Sequence, residues 1–498
     1  MVAFTELTAS LLPLILLAAF LYTWRRLSAS PRRPPSPRKL PIIGNLHQLG
    51  EFPHRSLHSL SQRHGHLMLL HFGSVPVLIA SSSAAAAEIM KHQDSLFSNR
   101  PKLSIADRLT YGSSDVGFAP YGDYWRRVRS VCVLQLLSNK RVQSYRRVRE
   151  EETSVMIDKI ASSPQNANLS AAFQTMTNDV VCRVALGRKY GGGGDGEGIV
   201  FGEIVEALIE LLGTFSVGDY VPWLGWINRI NGLNARVANV AKMYDEFLQR
   251  VIQQHRDKGE GGDDGSAVDF VDVLLQFQRE SEEKVEDYTI KAVIEDMFNA
   301  GTHSTATALE WTTAELIKNP RAIKTLQTEV REVGKGKEEI DEDDVERMPY
   351  LKAAIKEGLR LHAPTPLLLP REPIRDTKVL GYDVARGTQV MINAWAINKD
   401  PASWGDDAEE FRPERFLDSS VDLRGQHLQF IPFGAGRRGC PGITFTLAVN
   451  ELALAKLVHR FDFGLPGGAR VEDLDMTEAS GVSVRKKSPL LVVATPAS

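Results

Sequence analysis

A mainly α-helical body with minor β-sheets, tethered by one N-terminal membrane helix, is the fold class the sequence predicts. Three observations carry it. Most long segments repeat their apolar residues every three or four positions, Tyr288 to Lys318 runs without a proline, and Leu7 to Trp24 contains no charge. Composition agrees with a large folded body. The 498 residues are 43% hydrophobic and 24% charged, a globular balance that excludes disorder and collagen-like repeats. A formal charge of -3 argues against wholesale phosphate binding, so no nucleic-acid partner is expected. Three cysteines (Cys132, Cys182 and Cys440) without CxxC spacing exclude a disulfide scaffold and a thiolate zinc ribbon.

The first element is the anchor, assigned to residues 1–30 with its helix over 7–24. Eighteen uncharged residues are near the lower limit for crossing the hydrocarbon core, and Pro13 is tolerated in a bilayer helix. Arg25, Arg26, Arg32, Arg33, Arg38 and Lys39 follow, which keeps the C-terminal side cytosolic. A cleaved secretory signal needs a basic start, and no Lys or Arg precedes residue 25. Residues 31–50 form a hinge in which Pro31, Pro34, Pro35, Pro37 and Pro41 fix φ and withhold donors, giving an extended, semi-rigid arm.

The body, 51–498, is read as one domain. Gly/Asp-rich stretches at 191–198 and 257–266 are surface loops, and GGGGDG lacks the GK[ST] of a phosphate loop. MLLHFG, VPVLIA and PLLVVA read as strands of minor sheets. The long helix places Ile290, Ile294, Met297, Gly301, Ser304, Ala308 and Trp311 on one face, and Pro320 closes it. Gly301 there costs about 0.5–1 kcal/mol relative to alanine. Either a neighbouring helix packs closely on it, or a flat ligand needs the room.

Near the C-terminus, FGAGRRGCPG (433–442) formally contains GxGxxG, but it lacks the βαβ context and the ribose-binding acid of a dinucleotide site. Cys440 gives the better reading. Glycines at 434, 436, 439 and 442 leave space for a large planar group, backbone N–H groups can bond a sulfur anion, and Arg437 and Arg438 favour the thiolate. This is a one-cysteine metal-ligand loop.

On these motifs the chain resembles the cytochrome P-450 family, and its text looks like that of the plant microsomal A-type members. FxxGxRxCxG is met by Phe433, Gly436, Arg438, Cys440 and Gly442. ExxR is met by Glu357 and Arg360, PERF by Pro413 to Phe416, and WxxxR by Trp125 and Arg129, in the family order. The resemblance implies haem b with Cys440 as iron ligand. It also implies a Glu357–Arg360–Arg415 network that locks the haem loop, and propionates held by Trp125, Arg129, Arg371 and Arg438. Cys132 and Cys182 sit in apolar text and read as core packing. The basic run Lys140, Arg141, Arg146, Arg147 and Arg149 reads as a solvated helix face offset by Glu150 to Glu152, or else as a docking surface for an acidic electron donor.

One motif departs from the family. Its A/G-G-x-D/E-T-T/S appears here as Ala300-Gly301-Thr302-His303-Ser304-Thr305. Ser304 keeps the hydroxyl, and His303 stands where the acid is expected, either carrying protons near neutral pH or bonding a backbone carbonyl. The resemblance implies a monooxygenase that takes electrons from NADPH through a partner reductase and acts on a small apolar substrate. Its place would be the endoplasmic reticulum membrane, with a cytosolic body and no obligate oligomer. The altered pair keeps open a redox-neutral haem enzyme, an aldoxime dehydratase or isomerase; a non-catalytic haem-binding protein is the third reading. Leu109, Phe215, Met297, Ala300, Leu367, Leu368 and Val482 are the expected apolar lining, which suits terpenoids, phenylpropanoids, alkaloids and aldoximes alike.

Overall fold

The computed structural model describes residues 32–190, 197–258, 268–281 and 284–497. The anchor expected at 7–24 and the Gly/Asp-rich stretches over 191–196 and 259–266 lie outside these residues. Among the described residues, no helix is long and apolar enough to cross a membrane.

The long helix, expected over 288–318, is Asp287–Lys318, and Pro320 opens the next helix instead of extending it. It is buried on nearly every side, as a helix at the centre of a large body must be. Thr312 and Thr313 donate their hydroxyls to Ala308 O (2.7 Å) and Leu309 O (2.8 Å), which makes threonine tolerable in that interior. Leu169–Leu186, Pro349–Leu361 and Ile443–Arg460 pack around it. The sheets are minor. Leu67–Phe72 pairs antiparallel with Val75–Ala80, which pairs parallel with Gln389–Ile392; Leu491–Pro496 pairs with Phe461–Gly464 and Ala167–Asn168.

The helix that carries Glu357 starts at Pro349, and the Glu329 carboxylate accepts from Tyr350 N and Leu351 N, both at 2.8 Å, so two orphan amides are satisfied. Its far end crosses the long helix closely. A Cβ on Gly358 would stand 2.1 Å from Thr312 Oγ1 and 3.1 Å from Thr312 Cα. At Gly301 a Cβ would meet only Val181 Cγ2 at 3.4 Å, so helix packing does not by itself require glycine there.

The hinge is docked instead of standing free. Arg32 N donates to Asp383 Oδ2 (2.7 Å), Leu69 N to Pro35 O (2.9 Å), and fully buried Asn45 accepts from His71 N at 2.9 Å. The basic run also differs from a wholly solvated face. Arg149 is buried and donates twice to Glu342 (2.6 and 2.9 Å) and once to Val142 O (2.7 Å). Its neighbours Arg146 and Arg147 do pair along the helix, with Glu150 and Glu151 (both 2.7 Å). Glu342 is what makes the buried cation tolerable.

The two glycines give opposite expectations. Gly358→Ala should lower the unfolding free energy by about 1–3 kcal/mol, because backbone must move to admit the methyl. Gly301→Ala should stay within about 1 kcal/mol of the parent, since the helix gains propensity there. Urea unfolding of the three proteins checks both, and equal losses would exclude the helix-crossing argument.

Candidate functional site

The cysteine loop is built from its own backbone. Cys440 N donates to Phe433 O (2.9 Å), Gly439 N to Gly436 O (2.9 Å) and Gly434 N to Ile431 O (3.0 Å). Gly436 has φ +69°, and a Cβ there would lie 2.4 Å from both Met90 O and Asp94 Oδ1, so only glycine fits. Gly442 N–H donates to Cys440 Sγ at 3.3 Å. Burial raises the Cys440 thiol pKa, and this amide and Arg129 pull it back. The supporting cation is therefore Arg129, whose guanidinium donates to Gly439 O, and not the adjacent pair. Arg437 turns away to Asp94, donating from its guanidinium (2.9 Å) and its amide (3.0 Å). Cys132 and Cys182 are fully buried in the main core with thiols pushed up by burial, as packing residues should be.

The loop is tied to the ExxR helix through a chain of bonds. Glu357 and Arg360 are fully buried, with Arg360 Nε and Nη2 on the two carboxylate oxygens at 2.7 and 2.8 Å. Arg415 Nε adds a third bond at 3.0 Å, and Arg412 N a fourth at 2.9 Å. Arg360 also donates to the carbonyls of Asn398, Ala408 and Glu410. Asn398 Oδ1 then accepts from Ile431 N (3.0 Å), two residues before Phe433. The charges thus fix the approach to the cysteine without touching it.

Around the loop stand Arg100, Arg371 and Arg438, all buried, and half-buried Arg129. Arg438 donates to Ser98 O (2.8 Å), Val116 O (3.1 Å) and Ala119 O, and lies 4.2 Å over the ring of Trp125, whose Nε1 shares Val116 O at 3.0 Å. Arg371 donates to Ala435 O (2.8 Å) and Asp94 (3.3 Å). Arg100 donates to Gly117 O (2.8 Å), Leu369 O (2.8 Å) and Pro370 O (2.7 Å). Burial lowers the pKa of all four arginines, Arg438 to about 9, and Arg371 lowers Arg100 and Arg438 further. Burial also raises Asp115 and Asp296, and Asp115 pushes Asp296 higher. Of the four arginines only Arg371 makes an ion pair among the described residues, with Asp94. A buried excess of guanidinium calls for an anionic partner.

Arg100 escaped the reading of the sequence, although the signal that singled out Arg371, an arginine beside proline next to apolar text, is present in Asn99-Arg100-Pro101. Asp94, which orients Arg371 and Arg437, carried no such signal.

The cytochrome P450 family model matches residues 34–493. The chain belongs to the cytochrome P450 family. It is 60% identical to cytochrome P450 71A6 of Nepeta racemosa (96% of each chain) and 57% identical to (+)-menthofuran synthase of Mentha piperita (97% of each). It is 52% identical to norfluorocurarine oxidase of a Strychnos species, again over 97% of each. A zebra fish cytochrome P450 structure with progesterone superposes with a TM-score of 0.77 at 26% identity, covering 89% of this chain and 99% of that one. The fold is the mainly helical P450 architecture with small sheets, and the protein is a P450 monooxygenase that uses haem. The residues present fit that group. A backbone-held thiol offers the metal a ligand, and Arg100, Arg129 and Arg438, without a carboxylate partner among the described residues, offer two carboxylates a seat.

On the long helix, the Ser304 hydroxyl donates to Ala300 O (2.5 Å), and Met297 beside them is buried. Leu368, expected in the lining, approaches the cysteine loop at Gly434 and has φ +53°, a strained backbone for leucine. Leu109 is buried, Val482 lies against Gly213, and Phe215 stacks on Tyr220 with its ring half-exposed. His303 has no hydrogen-bond partner among the described residues. Burial, helped by Arg485, lowers its pKa to about 4, so its ring is neutral at pH 7.

Two outcomes follow for these residues. Cys440→Ser should abolish the red-shifted absorbance of the ferrous carbonyl complex that marks thiolate ligation, whereas Cys132→Ser and Cys182→Ser should keep it. For His303, folding lowers the pKa from 6.5 to about 4, so in that window the unfolded chain binds more protons. The stabilisation is complete above about pH 6.5 and falls as pH drops toward 4. His303→Asn should flatten this part of the stability–pH curve, and a parent–variant difference independent of pH would exclude a buried neutral ring.

Proposed function

We propose that this P450 inserts one oxygen atom from O₂ into a small apolar specialised metabolite, with electrons from NADPH delivered by a partner reductase. The observation that carries the substrate class is one face of the long helix, where Met297, Ala300 and Ser304 offer one hydroxyl amid apolar residues. The names of the menthofuran synthase and norfluorocurarine oxidase relatives point to the same range, terpenoids and alkaloids. Haem, when bound, supplies the oxygen and radical chemistry. The chain's own residues do the rest. Cys440 is the thiolate that holds the metal, Arg100, Arg129, Arg371, Arg438 and Trp125 seat the propionate edge, and Phe433 closes the loop through its carbonyl. Ser304 donates to Ala300 O and can turn that proton toward the cavity, and neutral His303 can accept a proton one residue away.

The reading extends to the membrane. Leu40, Ile42, Phe215, Trp223, Trp226 and Ile230 are exposed apolar residues, and the turn after Phe72 joins their two segments. Gly73 N donates to Ile43 O (3.1 Å) and Ser74 N to Tyr220 O (2.9 Å). With the apolar run before residue 25, this patch supports a body lying on the cytosolic face of the endoplasmic reticulum membrane. Exposed Arg126 and Arg127, on the helix whose Arg129 reaches Gly439, and exposed Arg437 suit an acidic reductase.

The altered His303–Ser304 pair favours, as the second reading, a redox-neutral dehydratase or isomerase. One experiment separates them. Reconstituted with a reductase, the parent should form product only with NADPH and O₂, and turnover with neither would replace the first reading by the second. Under the first reading, Ser304→Ala should divert electrons to hydrogen peroxide and cut product per NADPH by about tenfold to a hundredfold. Deleting residues 1–24 should move the holoprotein only partly to the soluble fraction, because the second apolar patch remains; complete release would remove that patch from the membrane argument.

A further inference from the structure

Where the end of the ExxR helix meets the long helix lies a small cavity lined by His54, Trp311, His362, Pro366, Trp395 and Glu478 among others. It has about 10 Å³ open to water centres, the room of one molecule. Two of its lining groups are buried polar atoms without a hydrogen-bond partner among the described residues, Trp395 Nε1 and His362 Nδ1. Leaving either unsatisfied costs a desolvation penalty, and native interiors fill such positions.

The chemistry of the two orphans is complementary. Indole Nε1 is a donor only. His362 Nε2 faces Glu315 Oε1 at 2.7 Å; a carboxylate accepts, so Nε2 carries the proton. Burial keeps the ring neutral by lowering its pKa against the pull of Glu315, so Nδ1 is left as an acceptor. The occupant must therefore accept from one side and donate to the other. The site is also rigid. His362 stacks on Trp311 at 4.2 Å with planes 3° apart, and Trp395 lies under Lys399 (4.5 Å) and Arg55 (5.2 Å).

We propose that this cavity holds one resident water molecule, which accepts from Trp395 Nε1–H and donates to His362 Nδ1. The segments that carry Leu367, Leu368 and Val482, expected lining residues, meet here. Val484 N donates to Pro364 O (2.8 Å), Trp311 Nε1 donates to Val484 O (2.9 Å), and Trp395 N donates to Pro366 O (3.1 Å). The water completes the joint between these strands of backbone, and His362 and Trp395 are positioning residues for both segments.

The experiment has two arms, neither reading turnover. A high-resolution crystal structure of the holoprotein should show one density peak within hydrogen-bond reach of both Trp395 Nε1 and His362 Nδ1; an empty cavity overturns the proposal. Hydrogen exchange on the holoprotein and on Trp395→Phe reads the joint in solution. The variant deletes the donor, and the Val484 amide should exchange about tenfold faster, equivalent to about 1.4 kcal/mol. The Leu490 amide, which donates to Ser170 Oγ at 2.8 Å, should stay unchanged. Equal acceleration at both amides would mean general destabilisation, and no change at Val484 would mean the joint does not depend on the water; either result overturns the positioning role.

Discussion

Two guanidiniums, from Arg360 and Arg415, close on the Glu357 carboxylate where no water reaches, and the course of the C-terminal half depends on that contact. Charges taken out of water are tolerable only when every lone pair and proton is used. Here the leftover donors of Arg360 go to the carbonyls of Asn398, Ala408 and Glu410, and those of Arg415 to the carbonyls of Trp404 and Asp407 and to the Asp407 carboxylate. Losing one partner strands the others, at about 3–5 kcal/mol for a buried pair, so the network holds as a whole or fails as a whole. Asn398 passes the constraint on to Ile431, and the cysteine loop begins there.

The same logic places the helices. The ExxR helix can approach the long helix only because Gly358 has no side chain where Thr312 stands, and that approach puts Glu357 and Arg360 at the correct depth. Between the two helices, Trp311 and His362 stack, and Glu315 binds the histidine. One interface thus serves the ion network on one side and the Trp311–His362 stack on the other.

What the sequence disclosed was whatever is encoded by local spacing. The ExxR, PERF and cysteine motifs were legible through their resemblance to a known family, with only the Glu357–Arg360 pair set by local helix spacing, and the long helix was legible because its prolines fall outside it. The three strands read from β-branched runs lie within two residues of their observed ends. Less legible was anything set by a distant element. Arg437 beside the cysteine looked like its electrostatic support, yet Asp94, more than 300 residues away, takes it, and Arg129 comes in from another helix. Arg149 reads as one of a solvated run until Glu342 is brought beside it. His303 offered the pKa of an ordinary histidine, and only burial beside Arg485 lowers it. Arg100 was hidden because its acceptors are carbonyls, which no side-chain motif advertises.

That preference for carbonyls has an evolutionary consequence. Arg100, Arg129 and Arg438 grip main chain at Ser98, Val116, Gly117, Ala119, Leu369, Pro370 and Gly439, and Arg371 grips Ala435. A carbonyl is the same whatever residue bears it. The segments these arginines hold can therefore exchange side chains without loosening that grip. Point mutations can accumulate in those segments while the arginines, and the cysteine loop they surround, keep their place.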